Sequence, residues 1–193
     1  MEAGDEQLML AYREGDAGAF EQLYRRHKGA LFRFVLRSVR DRATAEELYQ
    51  EVWMRAIEAR GRYEVQARFT TWLYTIAHNR LVDHWRSSGQ AKFASVDDDD
   101  SDARDVVDGL PGAANDEPEA RALSNELGGQ LRDALAALPA EQRDAFLLQY
   151  EGGLSVAEIA ETTGVGMETV KSRLRYATAK LRSALGPLRE EWT

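Results

Sequence analysis

The chain has no cysteine among its 193 residues. Disulfides and thiolate-bound metals are therefore excluded, and a reducing cytoplasm is the expected location. No apolar run approaches the roughly 18 residues that a membrane span needs. The start, MEAGDEQLML, lacks the basic-then-apolar order of a secretion signal. Catalytic signatures are missing too. The three histidines (His27, His78, His84) show no HExxH spacing, and there is neither a Gly-rich phosphate loop nor a Gly-x-Ser-x-Gly elbow. These absences argue against an enzyme, with no catalytic residues, metal, cofactor, small-molecule substrate or direct membrane insertion expected.

Positive charge is also short overall: the formal net charge is −8. The deficit is local. Residues 1–93 carry 15 Lys/Arg against 13 Asp/Glu, residues 94–120 carry one against ten, and residues 121–193 carry 9 against 10. The acidity belongs to one short stretch, so patches rather than the total decide what the chain binds.

What is present is helical periodicity, with no strand period. Short-range spacing predicts a helix over about Asp5–Glu14, ended by Gly15, with Asp16 capping the next at about Ala17–Val39. Thr44 and Glu47 read as a capping box that opens a third helix through about Arg60. Its outer side carries Glu47, Gln50, Glu51, Met54 and Glu58, which suits either plain solvated surface or a docking face for a partner helix. Gly61–Thr70 reads as a loop with basic and aromatic residues. Thr71 leads a helix to about Arg86, in which Trp72, Thr75, Asn79, Asp83 and Arg86 share a polar stripe. Stacking aromatics beside basic and amide groups are the means by which single-stranded DNA is held. Trp72 serves equally well as a core plug on this reading.

Ala94–Ala120 (ASVDDDDSDARDVVDGLPGAANDEPEA) has low hydrophobicity and concentrated charge, the composition of a disordered or loosely held linker. Its Asp run lacks the glycine that a calcium loop needs at position six. The expected architecture is all-α: two small helical domains, 1–93 and 121–193, joined by this acidic linker at 94–120. After it, Leu123, Leu127, Leu131, Leu135 and Leu138 line one face of a helix from about Glu119. Pro139 begins another, with Ala145, Phe146 and Tyr150 inward and Gly152–Gly153 as its stop.

The most informative stretch is LSVAEIAETTGVGMETVKSRLRYATAKLR, Leu154–Arg182. Ser155 and Glu158 form a capping box, and Gly164 supplies the left-handed stop. A second helix follows from about Met167, its Val170, Leu174, Ala177 and Leu181 at core spacing. Between Lys171 and Arg182 there are five basic residues and no acid. A helix-turn-helix lays such a helix in the DNA major groove; a solvated basic face on a helical hairpin is the plain alternative.

Taken together, AEELYQEVWMRAI (Ala45–Ile57), FTTWLYTIAHNRLVDHWR (Phe69–Arg86), LPAEQRDAFLLQYEGGLSVAEIAETTGV and METVKSRLRYATAKLR occur in the order seen in bacterial RNA polymerase sigma factors. The chain resembles the extracytoplasmic-function (ECF) group of that family. The resemblance implies that Glu47, Gln50, Glu51 and Met54 dock on the clamp helices of the largest subunit of core RNA polymerase. It implies that Arg62, Phe69, Trp72, Asn79, Asp83 and Arg86 open and read the −10 promoter element, with Asn79 at an extruded base. Thr169, Lys171, Ser172, Arg173 and Arg175 then stand where the family reads the −35 element as duplex. The linker resembles the segment that threads toward the active site and RNA exit channel. An anti-sigma factor is implied as a further partner. Tyr176, where a basic residue is common, departs from the pattern, as does the opening Gly166-Met167-Glu168. The rival reading is a helix-turn-helix regulator acting on duplex DNA without sigma activity.

Overall fold

The structure is a computed structural model; it describes residues 3–39, 41–88 and 118–186, with side chains from residue 128 onward in the last stretch. The described residues form helices and connecting turns, with no strand among them. Most of the linker expected at Ala94–Ala120, and Leu123 and Leu127 of the inner face predicted beyond it, lie outside what is described.

The helices are α1 (Asp5–Arg13), α2 (Ala17–Val39), α3 (Arg42–Ala59), α4 (Phe69–Ser87), α5 (Pro118–Ala137), α6 (Ala140–Tyr150), α7 (Val156–Thr163) and α8 (Met167–Leu185). Asp16 caps α2 as expected, its Oδ1 accepting from the backbone N–H groups of Gly18 and Ala19 at 2.9 and 3.2 Å. Gly29 lies inside α2 without interrupting it.

The start of α3 differs from the sequence reading. Asp41, not Thr44, is the N-cap: its Oδ2 accepts from both the Thr44 N–H at 2.8 Å and the Thr44 hydroxyl at 2.6 Å. Those hydrogen bonds, the hydroxyl first, hold the Asp41 carboxyl below the usual carboxylate range. An aspartate cap three residues upstream satisfies the same amide that the Thr44–Glu47 pattern would have left to its own turn.

Leu23, Leu31, Phe34 and Val35 of α2, Leu48 and Val52 of α3, and Leu73, Ala77 and Leu81 of α4 make the core of the first half, each at most 2% exposed. In the second half Leu135, Leu138, Phe146, Leu147, Leu148, Ile159, Val170 and Leu181 are buried. Tyr150 is a second correction. It is exposed, its ring stacked on Phe146 at 4.3 Å, because α6 ends there and the chain turns away beneath it.

The two halves do not stand apart. α2 packs on α5 and α6, and α4 packs on α7. Tyr74 of α4 anchors the joint: it is buried, meets Phe34 edge-on at 5.1 Å, and its hydroxyl donates to the Glu151 carbonyl at 2.9 Å. Burial raises its phenol pKa above the usual value. Gly152 lies against that ring. A Cβ there would stand 2.6 Å from the Leu148 carbonyl oxygen, 2.8 Å from Leu154 Cδ1 and 3.0 Å from Tyr74 Cδ1. Only a residue without a side chain allows this approach.

Candidate nucleic-acid interface

The helix-turn-helix is built by local chemistry. Ser155 Oγ accepts from the Glu158 N–H at 3.3 Å while Glu158 Oε2 accepts from the Ser155 N–H at 2.8 Å, the reciprocal box that starts α7. Gly164 closes α7 in the left-handed region at φ 71°, and its N–H and that of Val165 both return to the Ala160 carbonyl. Gly166 then caps α8. Val170, Leu174, Ala177 and Leu181 turn inward, so Thr169 and Lys171 are left exposed and Ser172, Arg173 and Arg175 half-buried.

Two of these basic residues have internal partners. Lys171 Nζ pairs with Glu168 at 2.7 Å, both side chains well exposed, and the Arg175 guanidinium lies 5.1 Å from the centroid of the Tyr176 ring. Tyr176, a departure from the family pattern, thus supports the Arg175 fork. A helix start carrying Thr169, Lys171 and Arg173, followed by a stacked Arg175, can present donors to base edges and phosphates in a major groove.

The stripe on α4 is divided. Asn79, Asp83 and Arg86 are exposed, with Asp83 3.3 Å from Arg55 of α3. Arg62 is exposed on the 3-10 turn Arg60–Arg62. Trp72 is half-buried, its indole 5.4 Å from the Tyr63 ring and 6.0 Å from the Phe69 ring. It is both part of the core and open on one side. Phe69, by contrast, is 2% exposed and wedged among His27, Tyr63 and Trp72. Its ring has no free face for a base and supports Trp72 instead; Phe69, Leu73 and Ala77 share the inward register at four-residue steps, a pattern visible in the sequence.

On α3, Glu47, Gln50 and Glu51 are exposed and Met54 is 56% exposed, among the largest apolar exposures of the described residues. Glu51 is paired with Arg80 of α4, which donates to both carboxylate oxygens. That hydrogen bonding, the largest influence, holds the Glu51 carboxyl below its usual range.

Sequence reasoning missed the groups that hold the halves together. Glu151 takes Arg33 at 3.0 Å and Arg37 on its other oxygen. Glu158 Oε1 accepts from the Thr71 hydroxyl at 2.5 Å, with Arg68 3.6 Å from Oε2. Burial pushes the Glu158 carboxyl up, but the hydrogen bonds from Thr71 and Ser155, with Arg68, outweigh it and leave the pKa lowered. Thr75 and Thr162 hydroxyls meet at 3.1 Å, and His78 Nδ1 lies 2.9 Å from Asp144 Oδ2. Between the halves runs a cleft of about 450 Å³, lined by His78, Asn79, Asp83 and Arg86 from α4 and by Glu141, Asp144, Glu161 and Arg173 across from them. Among the described residues no group of His and carboxylate side chains is placed to hold a metal ion, and no helix is long and apolar enough to cross a membrane.

Both halves match known families. The Sigma-70 region 2 family model matches residues 23–90, and the Sigma-70 region 4 model matches residues 128–181. Similar proteins include the RNA polymerase sigma factor CarQ of Myxococcus xanthus, 34% identical over 184 residues covering 95% of this chain and 98% of CarQ. The ECF RNA polymerase sigma factor SigL of Mycobacterium tuberculosis is 36% identical over 176 residues, covering 90% and 92%. Among solved structures, CnrH in complex with the cytosolic domain of CnrY aligns with a TM-score of 0.66 at 23% identity, covering 95% of this chain and 97% of that one. The sigma factor RpoE in complex with the anti-sigma factor NepR from Bartonella quintana gives 0.63 at 23%, covering 86% and 96%. At those identities the structures speak to the fold alone.

Proposed function

This chain belongs to the extracytoplasmic-function group of bacterial RNA polymerase sigma factors, and from that premise we propose how its residues divide the work of starting transcription. A sigma factor binds core RNA polymerase and directs it to promoters. The polymerase carries out the chemistry; this chain contributes recognition and no catalysis of its own.

The acidic face of α3, with Glu47, Gln50, Glu51 and the exposed Met54, docks on the clamp helices of the largest subunit. Met54 supplies an adaptable apolar contact at its centre. The α8 residues Thr169, Lys171, Ser172, Arg173 and Arg175 read the −35 element as duplex, where Arg or Lys to guanine is the commonest specific contact. Arg62, Trp72, Asn79, Asp83 and Arg86 hold the −10 element as opened strand. An unstacked base costs a few kcal/mol to extrude and needs a pocket with a stacking surface and hydrogen-bonding groups. The open side of Trp72 and the Asn79 amide provide those. Domains 1–93 and 121–193 each contribute one weak contact, and the tether at 94–120 combines them into a stronger one.

The cytoplasm is the proposed location, and an anti-sigma factor is a proposed partner, since the similarly folded RpoE of Bartonella quintana was co-crystallised with the anti-sigma factor NepR. The observation that carries the reading is that one chain joins a helix-turn-helix matching Sigma-70 region 4 to helices matching Sigma-70 region 2. A regulator acting on duplex DNA alone has no use for the latter. Run-off transcription with core polymerase, on promoters selected from a random library, separates the two. Transcripts that start at one position only when this protein is present support sigma activity; duplex binding without transcripts supports the regulator.

A further inference from the structure

We infer that α1, which lies outside the residues matched by the region 2 model, is a brace for the strand-opening segment at residues 60–72, and that Glu6 on it is a positioning residue for promoter melting. The inference rests on the roles proposed above for Arg62 and Trp72.

Arg62 and Trp72 stand near the two ends of this segment. Between them, only the 3-10 turn Arg60–Arg62 and the start of α4 are helical. The intervening backbone therefore needs partners from elsewhere. α1 supplies contacts at three points. Tyr12 receives Arg60, whose Nη1 donates to the phenol oxygen at 3.4 Å and whose guanidinium lies 5.3 Å from the ring centroid. Arg13 Nη1 donates to the Tyr63 carbonyl at 3.2 Å. Glu6 Oε1 accepts from the Phe69 N–H at 3.0 Å.

The last contact is a cap supplied from outside the helix. The first N–H groups of any helix have no partner within it. α4 has no side-chain cap of its own and no acid in its first turn. Arg68 stands at the cap position, and the Thr70 hydroxyl is buried without a hydrogen-bond partner among the described residues. Glu6 fills the role from 63 positions away and puts a carboxylate where the helix dipole favours one. Glu6 and Arg13 are seven apart, about two turns along one side of α1, so a single face reaches both the loop and the head of α4. Asp5 adds support from behind. Its two oxygens take Arg26 at 2.7 Å and His27 at 2.6 Å, and the His27 ring lies 5.1 Å from that of Phe69, which in turn lies 6.0 Å from the Trp72 indole. Glu6 thus fixes where α4 begins, and with it the stance of Trp72 within the first turn. A stacking face acts on an opening duplex only when the residues behind it hold its geometry.

The test uses the full-length chain with core polymerase. One template is a promoter selected by the wild-type holoenzyme; the other is the same promoter with its −10 base pairs replaced by mismatches. Glu6→Ala is expected to lower run-off transcription from the paired promoter by about tenfold or more. On the mismatched promoter, where no pairing has to be broken, the loss is expected to stay below about threefold, with core polymerase affinity within about twofold of wild type. Glu6→Gln keeps an acceptor oxygen and is expected to recover transcription to within about threefold. Arg13→Ala, which truncates a side chain 37% exposed, is expected to keep the fold and show the same split between promoters. Unchanged transcription from the paired promoter in both alanine variants overturns the inference. So does an equal loss on the two promoters, or a loss that glutamine fails to recover, since either outcome marks Glu6 as a general support of the fold. Wild-type protein that yields no transcript from either promoter overturns the sigma reading instead.

Discussion

Arg80 of α4 donates to both carboxylate oxygens of Glu51 of α3, and with Arg55–Asp83 this ion pair ties the two helices together. Because the native Glu51 carboxyl is held below its ordinary value of 4.5, chiefly by the Arg80 hydrogen bond, its stabilising effect is complete above that value. It fades as pH falls through the lowered native value. Glu51 is about half exposed, and solvent screening limits an exposed pair of this kind to about 0.2–1 kcal/mol. Urea unfolding of wild type and Glu51→Gln is expected to differ by that amount at pH 7 and to converge as pH falls below 4.5.

Gly152→Ala is expected to destabilise the chain by about 1–3 kcal/mol, since overpacking forces backbone or side chains aside. The added methyl meets the Leu148 carbonyl and the Tyr74 ring together, and a backbone oxygen has little room to yield. Thermal unfolding measures the effect. Gly166→Ala, where a Cβ meets nothing within 4 Å, serves as the mild control.

Lys171→Ala together with Arg175→Ala is expected to abolish specific −35 duplex binding while leaving core polymerase affinity intact. If both side chains neutralise phosphates, the slope of log affinity against log salt falls by about 1.8, near 0.9 for each phosphate no longer neutralised. Glu168→Gln frees Lys171 from its 2.7 Å partner and is expected to tighten the same duplex. Fluorescence anisotropy over a salt series reads all three.

Much of this was legible in sequence where the chemistry is local. Ser155, Glu158 and Gly164 announce the helix-turn-helix because a box and a left-handed stop are decided within a few residues. Asp41 shows how a local rule misleads: two cap patterns overlap, and the one upstream prevails. The family resemblance and its aromatic type assign Phe69 to DNA, although its four-residue register with Leu73 places it inward. The seam between the halves leaves no mark at all. Thr71 and Glu158 are 87 positions apart, and nothing in either neighbourhood names the other.

Met54→Ala is expected to weaken core polymerase binding by about five- to thirtyfold, the effect of removing about 1–2 kcal/mol at an apolar interface. With the side chain 56% exposed, the fold should not notice. Surface plasmon resonance against core enzyme, with thermal unfolding alongside, distinguishes the two effects.

Asn79→Ala is expected to flatten base preference at one position of the −10 element, leaving the −35 preference untouched. Transcription from a promoter set substituted at every −10 position gives the profile. A uniform drop across all positions would instead mean that the amide holds backbone or fold.

Glu158 splits its two oxygens between two duties: Oε2 receives the Ser155 N–H at the head of α7, and Oε1 receives Thr71 from the other half. Parting the halves therefore forfeits one oxygen's bond while the other keeps α7 wound. The start of α7 is thus held by a bond wholly inside the second half and owes nothing to the contact with α4.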